Sequence, residues 1–443
     1  VETVISMPKG AERTRQIESL KKEFEKKSKE VEELIKALRK DLASKYPPVH
    51  RLWGLSATVY RNMGGDKWWR ECVVRDHWMR DSLELYYAKS LIFRSKLYEG
   101  EERKKISEMA AKKLHRFIEG EPAFPGDTDP PRDKATMEKF LAPWEKKAKI
   151  KVPPEWLNPP SPEPRVFFRG LLALARYWMA RAYFEAGDLK QAERYAKFAI
   201  RTHATQNTPE PDARTIVDAR LNSYWLLGRI AVKQGNIDKA IDIYEEALSL
   251  SGQWLEPEDE KVDWCYPDIL KTAVGKKIAL DKVDLLLKKN RFSEALILTS
   301  EVYMSERRSR KMGSQMTPLE GEAVRKMALV FENFKQERPI FPAALYLGLG
   351  YGYFALAEEA TDADKKKENY QKALELFRLV PSMPCEPGEY EIYVPEALFN
   401  VGYILQTKLN QPLRAGVVYL YFVRRWRGRY SGCLLYTSPS PRD

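Results

Sequence analysis

The sequence predicts an all-α protein: an irregular α-solenoid of antiparallel helix hairpins with an N-terminal helical region. Apolar residues recur at three- and four-residue steps through most of the chain, the spacing of a helix that buries one face. After Val166 a pattern of helix, turn and helix also repeats, which is typical of stacked hairpins. With 443 residues, of which 44% are hydrophobic and 31% charged, the chain can bury a core.

The first predicted element is one long amphipathic helix within residues 1–46. Lys27 and Asp41 interrupt its apolar stripe, so we expect a helix docked on a neighbour or a short dimer seam, and not a long coiled coil. Pro47 and Pro48 end it, because proline cannot continue a helix. The stripe consists of Ile17, Leu20, Phe24, Val31, Leu34, Leu38 and Leu42.

Residues 47–120 are predicted to hold a helical hairpin. Its helices run from about Glu71 to Tyr98 and over 106–118, joined by the charged stretch EGEERKK. Eleven prolines between Glu119 and Arg165 then indicate a linker or long loop, which we place at 121–165 and interpret as a domain boundary.

Five hairpins are predicted in residues 166–432. The first two, 175–200 and 221–248, align with each other, and their shared small residues allow helices to cross closely. The other three are carried by residues 285–303, 347–381 and 396–422. The aligned pairs are Ala180 with Gly228, Gly187 with Gly235, Ala192 with Ala240 and Ala199 with Ala247.

These hairpins resemble tetratricopeptide repeats (TPRs). The turn residues Gly187, Gly235 and Asn290 are 48 and 55 residues apart, whereas the family repeats every 34 or so residues. Insertions such as 306–322 therefore separate the hairpins, and we expect an irregular array with long loops. The second hairpin matches the family pattern through Tyr224, Leu227, Gly228, Ala240, Tyr244 and Ala247.

The resemblance implies a partner-binding groove, because in this family the first helix of each hairpin faces the bound peptide. Arg181, Arg229 and Lys233 with Asn222 would suit an acidic peptide or a carboxylate through charge-assisted hydrogen bonds. The alternative is that these cations are solvated or paired with neighbouring acids. The groove positions would be Tyr177, Arg181, Phe184, Asn222, Trp225, Arg229 and Lys233.

No signature of a common enzyme class is present, neither a phosphate-binding loop nor a nucleophile elbow nor a zinc-protease motif. Cys72 and His77 with Asp76 could suggest a nucleophile and its base, but on a helix the first two point about 140° apart. The glycines of LGLGYG (347–352) lie in a helical pattern, which indicates close packing. We therefore predict a non-catalytic protein with no cofactor and no metal.

Composition argues against several other classes. The net charge of +12 is spread along the chain, apart from YFVRRWRGRY (421–430), which could bind nucleic acid or simply be a solvated last helix. The stretch 341–357 is too short to predict a membrane span. Cys72, Cys265 and Cys385 form no C-x-x-C pair, which favours a reducing compartment.

Both ends of the sequence are unusual. The last eleven residues, CLLYTSPSPRD (433–443), resemble translated read-through of a sequencing adapter, with a genuine disordered tail as the alternative. The first residue is not Met. Two functions remain open: an interaction scaffold that binds a partner protein or peptide in the groove, or the docking or regulatory portion of a larger enzyme or envelope complex.

Overall fold

The computed structural model is all-α. It describes residues 2–5, 7, 10–45, 75–119, 142, 146, 169–202, 204, 210–256, 264–309, 315–333, 342–385, 388 and 390–426. Within these ranges no β-strand forms, and the one β-type pairing is an isolated antiparallel bridge between Trp254 and Cys265. The predicted fold class is confirmed. The predicted linker 121–165 and the tail 433–443 lie outside the described residues, apart from positions 142 and 146.

Fifteen α-helices are found in the described part of the chain. They are α1 (Glu2–Ile5), α2 (Ala11–Lys45), α3 (Arg75–Ser95), α4 (Gly100–Glu119), α5 (Arg169–Ala186), α6 (Leu189–Ile200), α7 (Glu210–Lys233), α8 (Ile237–Ser249), α9 (Ala273–Lys288), α10 (Phe292–Ser309), α11 (Pro318–Glu332), α12 (Ala343–Glu359), α13 (Ala363–Leu379), α14 (Tyr390–Tyr403) and α15 (Pro412–Trp426).

The chain divides into two compact units. The first comprises Val1–Ile243 and Gly252–Tyr266, and the second comprises Tyr244–Ser251 and Pro267–Asp443. The division falls inside α8, whereas the sequence suggests a boundary in the proline-rich segment. The domain boundaries drawn from the sequence therefore stay a prediction.

In the first unit the long helix α2 docks on its neighbours. Ile35 is fully buried, whereas its neighbour Leu34, which the sequence places in the apolar stripe, is 59% exposed. Glu32 accepts a hydrogen bond of 2.6 Å from the hydroxyl of Tyr87 on α3 and another of 3.0 Å from the ammonium of Lys113 on α4. These contacts join α2 to both helices of the following hairpin, so α2 does not stand alone as a coiled coil.

The hairpin of α3 and α4 differs from the sequence prediction in one respect. The charged stretch EGEERKK was expected to connect two helices, but α4 already begins at Gly100 and includes most of it. Gly100 has a φ of +56°, so it ends the connection and starts the helix. Glu101 and Glu102 occupy the first turn, where carboxylates interact favourably with the helix dipole. Arg103 is thereby placed on a rigid helix.

Sharp turns with positive φ separate the helices in four of the pairs, α5 and α6, α7 and α8, α9 and α10, and α14 and α15. Gly187 and Gly235 have φ values of +89° and +79°, while Asn290 and Asn410 adopt the same region at 58° and 51°. Asn tolerates this conformation better than other residues with a side chain, which explains how Asn290 replaces the turn glycine. After Gly187, the carboxylate of Asp188 caps α6 by accepting a hydrogen bond of 3.0 Å from the amide of Gln191.

The second unit contains a helix, α11, that begins within a stretch predicted from the sequence to be an insertion. Residues 306–322 do not form one long loop: α10 extends to Ser309 and α11 begins at Pro318. The hydroxyl of Thr317 accepts a hydrogen bond of 3.0 Å from the amide of Glu320, and Pro318 follows at the first helical position. α11 packs against both α10 and α12.

The glycines of LGLGYG lie inside α12, where they allow close helix packing. A Cβ on Gly350 would lie 2.6 Å from the ring of Phe377 on α13, and one on Gly352 would overlap the carbonyl oxygen of Val324 on α11. Neither distance is possible for real atoms, so the glycines are required by the approach of the neighbouring helices.

Candidate functional site

The candidate binding residues lie on two adjacent helices of the first unit, α5 and α7, which pack against each other. Tyr177, Arg181 and Phe184 follow each other at four- and three-residue steps along α5. Asn222, Trp225, Arg229 and Lys233 do the same along α7. Such spacing places the residues of each helix on one face.

Five of these residues form a cluster of cations and aromatic rings, here called the basic–aromatic cluster: Arg181, Phe184, Trp225, Arg229 and Lys233. The guanidinium carbon of Arg181 is 5.1 Å from the centre of the Trp225 ring, and that of Arg229 is 4.9 Å from the same ring. The Lys233 ammonium lies 4.0 Å from the centre of the Phe184 ring. These are cation–π distances.

Arg103 and Glu185 complete the electrostatics of the cluster. Glu185 follows Arg181 by one helical turn, and the two side chains form a salt bridge of 3.3 Å with only 8% and 5% exposure. Arg103 on α4 donates a hydrogen bond to the same carboxylate. Arg103 and Arg181 contact Glu185, and Lys233 interacts with the charges of Glu185 and of Arg229, so four positive charges gather near this one carboxylate.

Burial alone would raise the pKa of Glu185, but the charge of Arg181 and the hydrogen bond from Arg103 outweigh burial and hold that pKa below its usual value. Burial lowers the pKa of Lys233, and the positive charges of Arg103, Arg229 and Arg181 lower it further against the pull of Glu185. Both shifts have the direction expected for a carboxylate and an ammonium that are partly buried among several cations.

One guanidinium nitrogen in the cluster has no hydrogen-bond partner. Arg181 is 6% exposed, and its Nη1 finds no acceptor among the described residues. A buried donor left without an acceptor costs free energy that a ligand oxygen could recover.

The remaining two candidates take other positions. Tyr177 is 4% exposed, and its ring centre is 4.9 Å from that of Trp178. The side-chain amide of Asn222 donates a hydrogen bond of 2.8 Å to the backbone carbonyl of Asp218 in its own helix. Tyr177 is therefore part of the buried packing of α5. Asn222 lies one turn before Trp225 and outside the basic–aromatic cluster.

Arg103 and Glu185 were not identified from the sequence. Arg103 falls in the stretch that was read as a connection, and its contact with Glu185 spans 82 residues of chain. Glu185 could have been found locally, because an Arg and a Glu four residues apart on a helix commonly form a pair.

The described residues contain no group of three or more His, Cys, Asp and Glu side chains placed to hold a metal ion. Cys72 lies outside them, while Asp76 and His77 lie in α3. No helix in these ranges is both long enough and apolar enough to cross a membrane.

The fold and the paired helices define a helical-repeat protein. The tetratricopeptide repeat family model matches residues 221–253, which includes the second predicted hairpin, so the chain is TPR-like as the sequence predicts. Among solved structures it is similar to the crystal structure of BtubC (BKLC) from P. vanneervenii, at 16% identity and a TM-score of 0.26, over 62% of this chain and 85% of that one. A search of curated proteins finds no match.

Proposed function

We propose that this chain is a non-catalytic interaction scaffold, which binds an acidic peptide segment of a partner protein on the basic–aromatic cluster of α5 and α7. TPRs serve in general as protein-interaction scaffolds, and the matched repeat at 221–253 includes Trp225, Arg229 and Lys233. The remaining cluster residues come from the preceding helix pair.

The observation that carries the proposal is the excess of positive charge around Glu185. Structural ion pairs in a protein interior balance their charges, because an unbalanced buried charge is costly. Here Arg181 is buried with Glu185, while Arg103, Arg229 and Lys233 add three more positive charges at the more exposed edge of the same cluster, and one nitrogen of Arg181 lacks an acceptor. An acidic ligand would supply the missing negative charge and the missing acceptor.

The aromatic rings of the cluster add a second requirement on the ligand. Phe184 is buried beneath the Lys233 ammonium, whereas Trp225 is partly exposed beside Arg181 and Arg229. A peptide that places an Asp or Glu on the cations and an apolar side chain on the Trp225 ring would use both. A small inorganic anion would use only the charge.

The experiment is a titration of the purified protein with fluorescent peptides of equal length, graded in net charge from strongly acidic to strongly basic. Affinity should rise with acidity. The double variant Arg229→Gln and Lys233→Gln should bind the acidic peptides with about tenfold or more lower affinity, because each charge-assisted hydrogen bond contributes about 1.5–3 kcal/mol. Trp225→Ala should lower the affinity only for peptides that carry an apolar residue beside the acidic one.

Lys239→Gln is the matched control. Lys239 is also a lysine of the first unit, with 45% of its side chain exposed, but it pairs with Glu193 at 3.4 Å away from the cluster. The control should bind the acidic peptides as the unmodified protein does. Equal losses in Lys239→Gln and in the cluster variants would mean that net charge alone attracts the peptides, and the proposal would then be wrong.

A further inference from the structure

Helix α15 in the second unit has two apolar faces. One is buried and contains Ala415, Phe422 and Trp426. The opposite face is solvent-exposed, and we call its four apolar side chains the outer stripe: Leu413 (88% exposed), Val417 (68%), Leu420 (60%) and Tyr421 (54%). Leu413, Val417 and Leu420 are four and three residues apart and so lie along one line of the helix, and Tyr421 lies beside that line, one turn after Val417.

This concentration of exposed apolar side chains is found on α15 alone among the described helices. Thirteen large hydrophobic side chains are exposed in the described part of the chain, and five of them, the outer stripe and Val423, lie on this one helix. The others are spread over seven helices and one loop. Single exposed hydrophobic residues are normal, whereas a contiguous stripe indicates an interaction site.

The charges on α15 are all positive. The helix contains Arg414, Arg424 and Arg425 and no acidic residue. Arg424 lies four residues after Leu420 and seven after Val417, so it continues the line of the outer stripe at its C-terminal end. All three arginines are exposed.

We propose that the outer stripe docks an amphipathic helix of a partner protein, whose apolar face is flanked by Asp and Glu residues. The stripe has the spacing of the seam between two helices, and its width is that of a single helix face. Gly416 adjoins Val417, and a Cβ built there would have nothing within 4 Å. A partner helix can therefore approach closely beside the stripe, with its carboxylates near Arg414 and Arg424.

The charges and side chains of α15 favour this occupant over others. A second copy of the chain would bring three arginines against three arginines, since the same face would be used on both sides. Nucleic acid would suit the arginines, but Tyr421 is the one ring among the four side chains of the outer stripe, and the aliphatic Leu413, Val417 and Leu420 offer no surface on which successive bases could stack. A membrane would be met by a broader apolar face than these four residues provide.

The experiment measures binding to three synthetic peptides by fluorescence anisotropy. The first is a helical peptide with leucines on one face and glutamates on both flanks. The second has the same leucines flanked by lysines, and the third contains the residues of the first in scrambled order. The full chain should bind the first and prefer it to the second by about tenfold or more, as expected for two or three charge pairs at an interface.

Two variants and two controls locate the binding. The double variant Val417→Ser and Leu420→Ser should bind the first peptide with about tenfold or more lower affinity, because each substitution removes a large apolar contact. Arg424→Gln should reduce the preference for glutamate flanks. Ile297→Ser changes an equally exposed residue (59%) on α10 and should change nothing. The double variant Arg229→Gln and Lys233→Gln should also bind the first peptide with unchanged affinity. This result would distinguish the outer stripe from the proposed peptide site on α5 and α7.

Four results would overturn the proposal. The first is that the scrambled peptide binds as tightly as the first peptide, and the second is that the Val417→Ser and Leu420→Ser variant binds the first peptide as tightly as the unmodified protein does. The third is a concentration-dependent dimer that this variant abolishes. The fourth is binding of anionic vesicles or of single-stranded DNA that this variant abolishes. The third would assign the stripe to a second copy, and the fourth to a membrane or a nucleic acid.

Discussion

Arg181 on α5 lies with its guanidinium carbon 5.1 Å from the centre of the Trp225 ring on α7, and its salt bridge to Glu185 is 3.3 Å long. Arg181 thus connects a helix pair to the next pair through a ring and a carboxylate. Arg103, Arg229 and Lys233 lie near this pair and create the excess of positive charge on which the proposed function depends.

Lys233→Met should stabilise the protein at neutral pH. Burial and the charges of Arg103, Arg229 and Arg181 lower the pKa of Lys233 in the folded state, so its charged form weakens folding at every pH below that lowered pKa. Met retains an apolar stem over the Phe184 ring and removes the charge. Urea unfolding across pH should show that the advantage of the variant shrinks as pH rises through the pKa of folded Lys233 towards that of the unfolded chain. An advantage that grew with pH would contradict this assignment.

Glu185→Gln should destabilise the protein by about 3 kcal/mol at neutral pH, because removing one partner of a buried ion pair leaves the others uncompensated. The pKa of Glu185 is lowered in the folded state. Its contribution is therefore complete above the unfolded pKa of a glutamate and is lost as pH falls through the lowered folded pKa. The free energy of unfolding should consequently depend less on acid pH in Glu185→Gln than in the unmodified protein. An unchanged acid dependence would show that other carboxylates dominate it.

Gly235→Ala and Gly416→Ala should have opposite effects on stability. Nothing lies within 4 Å of a Cβ at either position, so sterics with neighbours play no part. Gly235 has a φ of +79°, and Ala there costs about 1–2 kcal/mol. Gly416 lies inside the helix α15, where Ala is favoured over Gly by about 0.5–1 kcal/mol. Thermal unfolding of the two variants side by side measures the difference, and a stabilising Gly235→Ala would contradict the turn geometry.

Gly352→Ala should destabilise the second unit although the position is helical. A Cβ there would overlap the carbonyl oxygen of Val324 and lie 2.9 Å from the Cβ of Ala328. Since backbone atoms cannot move aside as a flexible side chain can, we expect a loss of about 1–3 kcal/mol. Gly321→Ala on α11 is the control, because its nearest contact would be 3.8 Å away at the end of the Arg325 side chain. Equal stability of the two variants would show that α11 and α12 can separate without cost.

The parts of the fold that were predictable depend on local sequence signals. The long helix α2 follows from the spacing of apolar residues such as Ile17 and Leu20, and the turns at Gly187 and Gly235 follow from the conformation that glycine alone adopts freely. The hairpin at 221–248 combines both signals, and it is the segment that the family model matches.

The parts that were not predicted depend on long-range contacts or on a weak cap. α11 begins with the Thr317–Pro318 cap, a local signal that the prediction of an insertion at 306–322 did not use. The contact between Arg103 and Glu185 joins helices far apart in sequence, and no periodicity in either helix indicates it. The exposed face of α15 was also not predictable, since apolar spacing alone does not show which of two faces is buried.

The most direct test of the proposed function is fluorine NMR of the protein labelled with 5-fluorotryptophan, with the Trp225 resonance assigned from Trp225→Phe. Addition of an acidic peptide should shift the Trp225 resonance, because its ring lies between Arg181 and Arg229. The resonance of Trp254, which is 56% exposed in the same unit, should stay in place. A peptide that binds without moving the Trp225 resonance would contradict the account, because binding would then occur away from the basic–aromatic cluster.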